Sequence, residues 1–85
     1  MKTNTVYLVH ACDDWGTHKG IAGIYNDREK AIEDILKDYR ENSDLTDSEI
    51  ENAEYQLREY YHTQGITKAD NFEIEVISLN EWDWR

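Results

Sequence analysis

The sequence predicts an α+β fold, in which a three-stranded β-sheet is packed by two antiparallel helices in the order β-β-α-α-β. Two observations predict it: strand-like segments at both ends of the chain, and two stretches with apolar residues at helical spacing between them. Two helices on one face of a sheet bury the apolar side of both layers. The chain has 85 residues, so we expect one domain spanning residues 1–85.

The two strands near the start of the chain are predicted from residue type. Thr5–Cys12 is rich in β-branched and aromatic residues and contains no glycine or proline. Asp13–Gly20 has adjacent aspartates and two glycines, which is typical of a hairpin loop. Ile21–Tyr25 is then a short second strand. Alternation places Val6, Leu8, His10 and Cys12 on one face of the first strand, and Tyr7, Val9 and Ala11 on the other.

The third strand is predicted over Asn71–Leu79, where apolar and polar residues alternate. Because the chain returns through two helices, we expect this strand to run parallel to the first strand and antiparallel to the second. The residue pattern leaves open which of the two it pairs with. Alternation places Phe72, Ile74 and Val76 on the core side, and Glu73 and Glu75 on the solvent side.

The two helices are predicted from capping residues and apolar stripes. Asn26 or Asp27 is the N-cap of the first helix, and Thr46 opens the second with a capping box that Glu49 completes. Gly65 is the predicted C-terminal stop, because glycine readily adopts the left-handed conformation. The apolar stripes are Ala31, Ile32, Ile35, Leu36 and Tyr39 in the first helix, and Ile50, Ala53, Leu57, Tyr60 and Tyr61 in the second.

The charge excludes several classes of partner. Nineteen acidic and nine basic side chains give a formal net charge of −10 and a pI of about 4.5. Such a chain repels nucleic acid and anionic lipid, so we expect no direct binding to nucleic acid or membranes. No apolar run approaches the ~20 residues of a membrane-spanning helix, and no signal-peptide pattern is present. The single cysteine cannot form an internal disulfide, so we expect a cytoplasmic protein.

One segment contains residue types that ligate transition metals or act as nucleophiles. These residues are His10, Cys12, Asp13, Asp14 and His18. Their spacing matches no standard metal site, and the adjacent aspartates disfavour a reactive thiolate. We therefore predict no catalytic residue, no metal site, no cofactor and no enzymatic activity. A small metal-dependent enzyme built on this segment is therefore a third alternative, after the two protein-binding functions described below.

Acidic residues are concentrated in two parts of the chain. Six acids and no Lys or Arg lie between Glu41 and Leu57. A second run near the end of the chain alternates acids with tryptophans, which are good anchors on a partner surface. A solvated acidic face needs no ligand, but strong self-repulsion costs stability, which partner binding would explain. The predicted partner-binding residues are Asp44, Asp47, Glu49, Glu51, Glu54, Glu73, Glu75, Trp82 and Trp84.

The pattern VYLVHACDD…GIAGIYNDREKAIEDIL…FEIEVISLNEW resembles a set of small uncharacterised bacterial and phage proteins. The matching residues are Val6–Val9, Gly23–Tyr25, Arg28–Ala31 and Phe72–Leu79, which cover roughly half of the chain. The resemblance supports the fold and implies no chemistry. The segment Leu45–Gly65 departs from the shorter pattern and carries most of the unpaired acids.

By size, acidity and single-domain organisation, the chain is also similar to phage-encoded inhibitors of host defence, including anti-CRISPR proteins. That resemblance rests on no motif. It implies an inhibitor that places an acidic, nucleic-acid-mimicking surface in the basic channel of a host nucleic-acid-handling enzyme, such as a CRISPR nuclease. The alternative is a general protein-interaction domain without mimicry, including a homodimer formed through a sheet edge or the tryptophan-bearing tail.

Overall fold

Three strands and two helices follow one another in the predicted order. The computed structural model describes residues 3–13 and 17–80. This confirms the predicted α+β fold and the order β-β-α-α-β. The elements are the strand β1 (Thr3–Cys12), the strand β2 (His18–Tyr25), the helix α1 (Arg28–Asn42), the helix α2 (Asp47–Tyr60) and the strand β3 (Asn71–Asn80).

The sheet has the strand order β2-β1-β3, and β1 is antiparallel to both of its neighbours. The prediction that the third strand runs parallel to the first is therefore wrong. After α2, residues 61–63 run along the outer edge of β3: the Thr63 N–H donates to the Phe72 carbonyl at 2.9 Å, and the Ile74 N–H to the Tyr61 carbonyl at 2.7 Å. The chain then reverses once more before β3 begins, which inverts the expected direction.

The core lies between the helices and one face of the sheet. Val9 of β1 is 2% exposed and is paired with the buried Ile74 of β3, while Ala11 is paired with Phe72. The whole predicted stripe of α1 is buried, as are three residues of the α2 stripe. Burial of each large side chain stabilises the fold by roughly 1.5–3 kcal/mol. The core consists of Val9, Ala31, Ile32, Ile35, Leu36, Tyr39, Ile50, Ala53, Leu57, Phe72 and Ile74.

Three residues predicted for the core lie at its edge or outside it. Tyr60 is 57% exposed because it lies in the last turn of α2, and Tyr61 beyond it is only partly buried. Val76 is 47% exposed. Val76 is paired with the half-buried Tyr7, two residues along each strand from the buried pair of Val9 and Ile74. The helices therefore cover the end of this sheet face nearer Phe72 better than the end nearer Val76.

The helix starts are as predicted, and the end of α2 is not. The Asp27 carboxylate caps α1 by accepting from the Glu29 N–H at 2.9 Å. Both bonds of the predicted capping box are present: the Thr46 hydroxyl accepts from the Glu49 N–H at 3.2 Å, and the Glu49 carboxylate accepts from the Thr46 N–H at 2.8 Å. However, α2 ends at Tyr60, and Tyr61 rather than Gly65 is its left-handed cap, with φ of 64°.

Tyr61 adopts this conformation because its contacts hold it there. The Arg28 guanidinium donates to the Tyr61 hydroxyl at 3.1 Å and lies 5.2 Å from the ring centroid. The Tyr61 N–H donates to the Leu57 carbonyl at 3.1 Å, which closes the helix. Gly65 also has a positive φ, of 81°, but it lies in the connection that reverses the chain before β3.

Candidate functional site

The sheet face opposite the helices, here called the open sheet face, carries most of the chemically distinctive side chains. Alternation places Val6, Leu8, His10 and Cys12 of β1 on it, as predicted. None of its aliphatic residues belongs to the core or packs against it, and neither described helix covers it. The strand register adds His18, Ile21 and Ile24 from β2, and Glu73, Glu75 and Ile77 from β3.

The open sheet face has an aliphatic part and a polar part. Leu8 in the centre is paired with Ile24 on one side and with Glu75 on the other. Ile24 is 67% exposed and Ile21 is 60% exposed, so both present large apolar surfaces to solvent. The two exposed isoleucines Ile21 and Ile24 therefore lie on the β2 side of this face, and the glutamates lie on the β3 side together with Ile77.

Two imidazole–carboxylate pairs form the polar part. The His10 Nε2 donates to the Glu75 Oε1 at 2.8 Å, and the His18 Nε2 hydrogen-bonds the Glu73 carboxylate. The two imidazole rings stack with their centroids 4.1 Å apart and their planes 10° from parallel. Glu73 and Glu75 point away from the core, as predicted, but histidines hold both carboxylates. The antiparallel register of β1 and β3 brings these histidines and glutamates together. The parallel arrangement predicted from the sequence gave no reason to expect these pairs.

Cys12 lies next to this cluster and is buried. Its Sγ donates to the His10 carbonyl at 3.8 Å. Burial raises the pKa of the Cys12 thiol above its ordinary value, and the negative charges of Glu73, Asp13 and Asp70 raise this pKa further. The thiol is therefore protonated at neutral pH, and a protonated thiol is a poor nucleophile.

Three side chains of this cluster bring metal-ligating atoms together. The Cys12 Sγ, one ring nitrogen of His18 and one carboxylate oxygen of Glu73 all lie within 4.8 Å of one another. The sequence had suggested Asp13 and Asp14 as neighbours of the cysteine and histidines. The Asp13 carboxylate instead accepts from the Thr17 N–H at 2.9 Å, and Asp14 lies outside the described residues.

Glu73 was missed as a member of this cluster because it is 55 residues from His18 in the chain. Spacing along the chain carries no information about this contact. Only the strand register identifies Glu73 as a member, because it places His10 opposite Glu73 and Cys12 opposite His18. The prediction of no metal site considered only residues near Cys12 in the chain and did not include Glu73.

The acidic surface predicted from Asp44 to Glu54 is smaller than expected. Asp44, Asp47 and Glu51 are exposed, and within the described parts of the chain they form no hydrogen bond or ion pair through their carboxylates. Glu54 instead pairs with Arg58 at 3.0 Å. Glu49 pairs with Lys68 at 3.1 Å in addition to its capping bond.

The predicted partner-binding residues therefore separate into three groups. Asp44, Asp47 and Glu51 lie on the helical side, and Glu73 and Glu75 lie on the open sheet face. The remaining carboxylates, Glu49 and Glu54, are held by basic side chains. Trp82 and Trp84 lie outside the described residues.

The described part of the chain contains no helix that is both long enough and apolar enough to cross a membrane. Comparison of the chain with protein-family models, with curated proteins and with solved structures gave no match.

Proposed function

We propose that this chain is a non-catalytic protein-binding domain whose open sheet face contacts a basic, partly apolar partner surface. The observation that carries the proposal is the exposure of Ile21 (60%) and Ile24 (67%) on the same face as Glu73 and Glu75. Aliphatic side chains exposed next to charged ones are typical of interaction surfaces, where apolar contacts supply affinity and charges supply orientation.

Charge complementarity favours a basic partner over a second copy of the chain. Each copy carries a formal net charge of −10, so two copies repel one another. The same negative charge attracts a Lys- and Arg-rich partner and also steers its approach. Enzymes that handle nucleic acid have channels lined with such residues. We propose this class of enzyme as the partner, with inhibition by occupation of the channel as the consequence.

A second candidate surface, here called the helical acids, consists of Asp44 in the connection before α2 and of Asp47 and Glu51 in α2. The observation that favours it is that these carboxylates form no ion pair within the described residues. Asp47 and Glu51 are four residues apart on α2, so their side chains are neighbours about 5–6 Å apart. This spacing approaches the charge spacing of a nucleic-acid strand, in which phosphates follow one another every ~3.4 Å of axis. This version corresponds to nucleic-acid mimicry.

Capture from a bacterial lysate, washed across a salt series and read by mass spectrometry, tests the proposal. The bait is the immobilised full chain. We expect a nucleic-acid-binding enzyme to be retained at low salt and released at high salt, because screening weakens the attraction between opposite charges. The variant Ile24→Ser should lose this partner, since it removes an exposed aliphatic side chain from the open sheet face.

Tyr55→Ser is the matched control, because Tyr55 is an equally exposed apolar residue, 55% exposed, on α2. It should retain the partner. Loss of the partner in the double variant Asp47→Lys/Glu51→Lys, with retention in Ile24→Ser, would assign binding to the helical acids instead. A partner that binds independently of salt, or that has no nucleic-acid-binding surface, would contradict the proposed partner class.

A further inference from the structure

Each strand contributes one side chain to the three-residue cluster at the polar end of the open sheet face. Cys12 closes β1, His18 opens β2, and Glu73 lies near the start of β3. Backbone pairing opposes Cys12 to His18 and opposes His10, two residues before Cys12, to Glu73. The three side chains therefore extend from neighbouring positions of a hydrogen-bonded ladder. Strands hold such a set more precisely than a loop does.

The distances between the three donor atoms are close to those of a tetrahedral site. All three atoms lie within 4.8 Å of one another. Bond lengths of about 2.0–2.3 Å to zinc place the ligand atoms of a tetrahedral site about 3.3–3.8 Å apart. The Glu73 side chain is 46% exposed, so it has room to move closer to the other two donor atoms.

We propose that Cys12, His18 and Glu73 bind a transition-metal dication of the zinc type. Thiolate, imidazole and carboxylate are the ligand classes that zinc takes in proteins, and three protein ligands leave a fourth position for water or for a group from a partner. A thiolate and a carboxylate together neutralise the dication. On binding, the S–H bond of Cys12 breaks, the sulfur–metal bond forms, and the proton passes to solvent.

The ion replaces an existing contact between His18 and Glu73. The His18 Nε2 now hydrogen-bonds the Glu73 carboxylate. An ion that enters between these two groups turns both into ligands, and the ring proton of His18 moves to its other nitrogen. The negative charge of Asp13 acts on Cys12 and adds to the field that attracts a cation, whereas Asp70 is paired with Lys19 at 2.9 Å.

His10 is a positioning residue for this site. Its ring stacks on that of His18 with a centroid separation of 4.1 Å, and its own Nε2 is held by Glu75 at 2.8 Å. The stack keeps the plane of the His18 ring fixed, in the way that outer-shell contacts orient metal ligands. His10→Ala should therefore weaken metal binding while the thiolate signature of the bound metal persists.

Cobalt titration of the purified, chelator-treated full chain tests the proposal. We expect one equivalent of Co²⁺ to bind with the visible absorption of a tetrahedral site and a thiolate-to-cobalt charge-transfer band, and Zn²⁺ to displace it. Cys12→Ser should abolish the charge-transfer band. His18→Ala and Glu73→Gln should each weaken Zn²⁺ binding by at least about tenfold in competition with a chelating dye.

Glu51→Gln is the matched control for Glu73→Gln, because Glu51 lies on α2 and does not belong to the cluster. It should bind Zn²⁺ like the wild type. Absence of the charge-transfer band in the wild type, or equal Zn²⁺ affinity in wild type and His18→Ala, would overturn the proposal. The His18 side chain is 48% exposed, so its replacement leaves the fold intact even if Cys12→Ser unfolds the chain. The experiment needs no partner, so its result is independent of the proposed protein-binding function.

Discussion

Arg58 in the last turn of α2 is ion-paired with Glu29 in the first turn of α1, with its Nη1 at 2.7 and 3.0 Å from the two carboxylate oxygens. The same guanidinium also bonds Glu54 at 3.0 Å. A cation at the C-terminus of one helix and an anion at the N-terminus of the other both interact favourably with the helix dipoles. This contact therefore joins the C-terminal end of α2 to the N-terminal end of α1.

The Arg58–Glu29 pair predicts how stability depends on pH. The hydrogen bond from Arg58 lowers the pKa of the Glu29 carboxyl below its ordinary value. A carboxyl whose pKa is lower in the folded state contributes stability above the unfolded pKa, about 4.3 for glutamate, and loses it as the pH falls through the folded pKa. Glu29→Gln should therefore be less stable than the wild type at neutral pH, with a difference that shrinks in acid.

Urea unfolding of the wild type and of Glu29→Gln, from neutral pH to pH values below the unfolded glutamate pKa, measures the difference in stability between them. Glu33→Gln is the matched control, because Glu33 is an exposed carboxylate of α1 with no ion pair among the described residues. Its unfolding midpoint should follow the wild type at every pH. A Glu29→Gln deficit that stays constant down to strongly acidic pH would contradict the prediction.

Two glycines of β2 give opposite predictions for the same substitution. A Cβ on Gly23 would lie 2.7 Å from the Tyr25 ring, which is held by the hydrogen bond of its hydroxyl to Asp34 at 2.9 Å. Gly23→Ala should therefore destabilise the fold by about 1–2 kcal/mol, through overpacking and loss of that bond. A Cβ on Gly20 would meet no atom within 4 Å.

Gly20→Ala should consequently leave the free energy of unfolding unchanged or slightly raised. Urea unfolding monitored by tryptophan fluorescence gives both values. Equal effects of the two substitutions would show that backbone flexibility of the glycines, rather than contact with Tyr25, decides their cost.

The elements were predictable from sequence because each has a local signal. The α1 stripe from Ala31 to Tyr39 is buried without exception, and the capping box of Thr46 and Glu49 forms both bonds. These features depend on residues within one or two turns of one another. The direction of β3 depends instead on the pairing of Tyr61 and Thr63 with its outer edge. That pairing is a tertiary contact that no local pattern encodes.

The candidate site was predictable only in part for the same reason. His10, Cys12 and His18 are close in sequence and were recognised together, whereas Glu73 reaches them only through the β1–β3 register. An antiparallel register brings Glu73 opposite His10. The acids from Asp44 to Glu54 have an obvious signal in the sequence, but two of them, Glu49 and Glu54, have basic partners, whereas Asp44, Asp47 and Glu51 have none among the described residues.

The capping box predicts a measurable contribution from the Thr46 hydroxyl. Thr46→Ala should destabilise the fold by about 1 kcal/mol, because the Glu49 N–H in the first turn of α2 loses its acceptor. Thr67→Ala is the matched control, since Thr67 is exposed in the connection before β3. Thermal unfolding followed by circular dichroism compares the two. Equal melting temperatures for the two variants would mean that the cap contributes nothing to the stability of α2.

The Tyr39 hydroxyl links α1 to the start of β3, and its removal tests that link. Tyr39 is fully buried; its hydroxyl donates to the Asp70 carbonyl at 2.7 Å and lies 3.1 Å from the Thr63 Oγ1, while its ring packs edge-on against Phe72. Tyr39→Phe keeps the ring and deletes only the hydroxyl. We expect a loss of about 1–2 kcal/mol, because the buried partner groups lose a hydrogen bond.

Burial raises the pKa of Tyr39 well above the ordinary tyrosine range, and this extends the prediction to alkaline pH. A phenol whose pKa is raised on folding contributes stability that is complete below the unfolded pKa and is lost as the pH rises towards the folded value. The stability advantage of wild type over Tyr39→Phe should therefore persist at neutral pH and decline above about pH 10. Tyr55→Phe, in which the exposed Tyr55 hydroxyl is removed, should leave the neutral-pH midpoint unchanged. A Tyr39→Phe variant as stable as the wild type at neutral pH would show that the hydroxyl does not hold β3 to the helix.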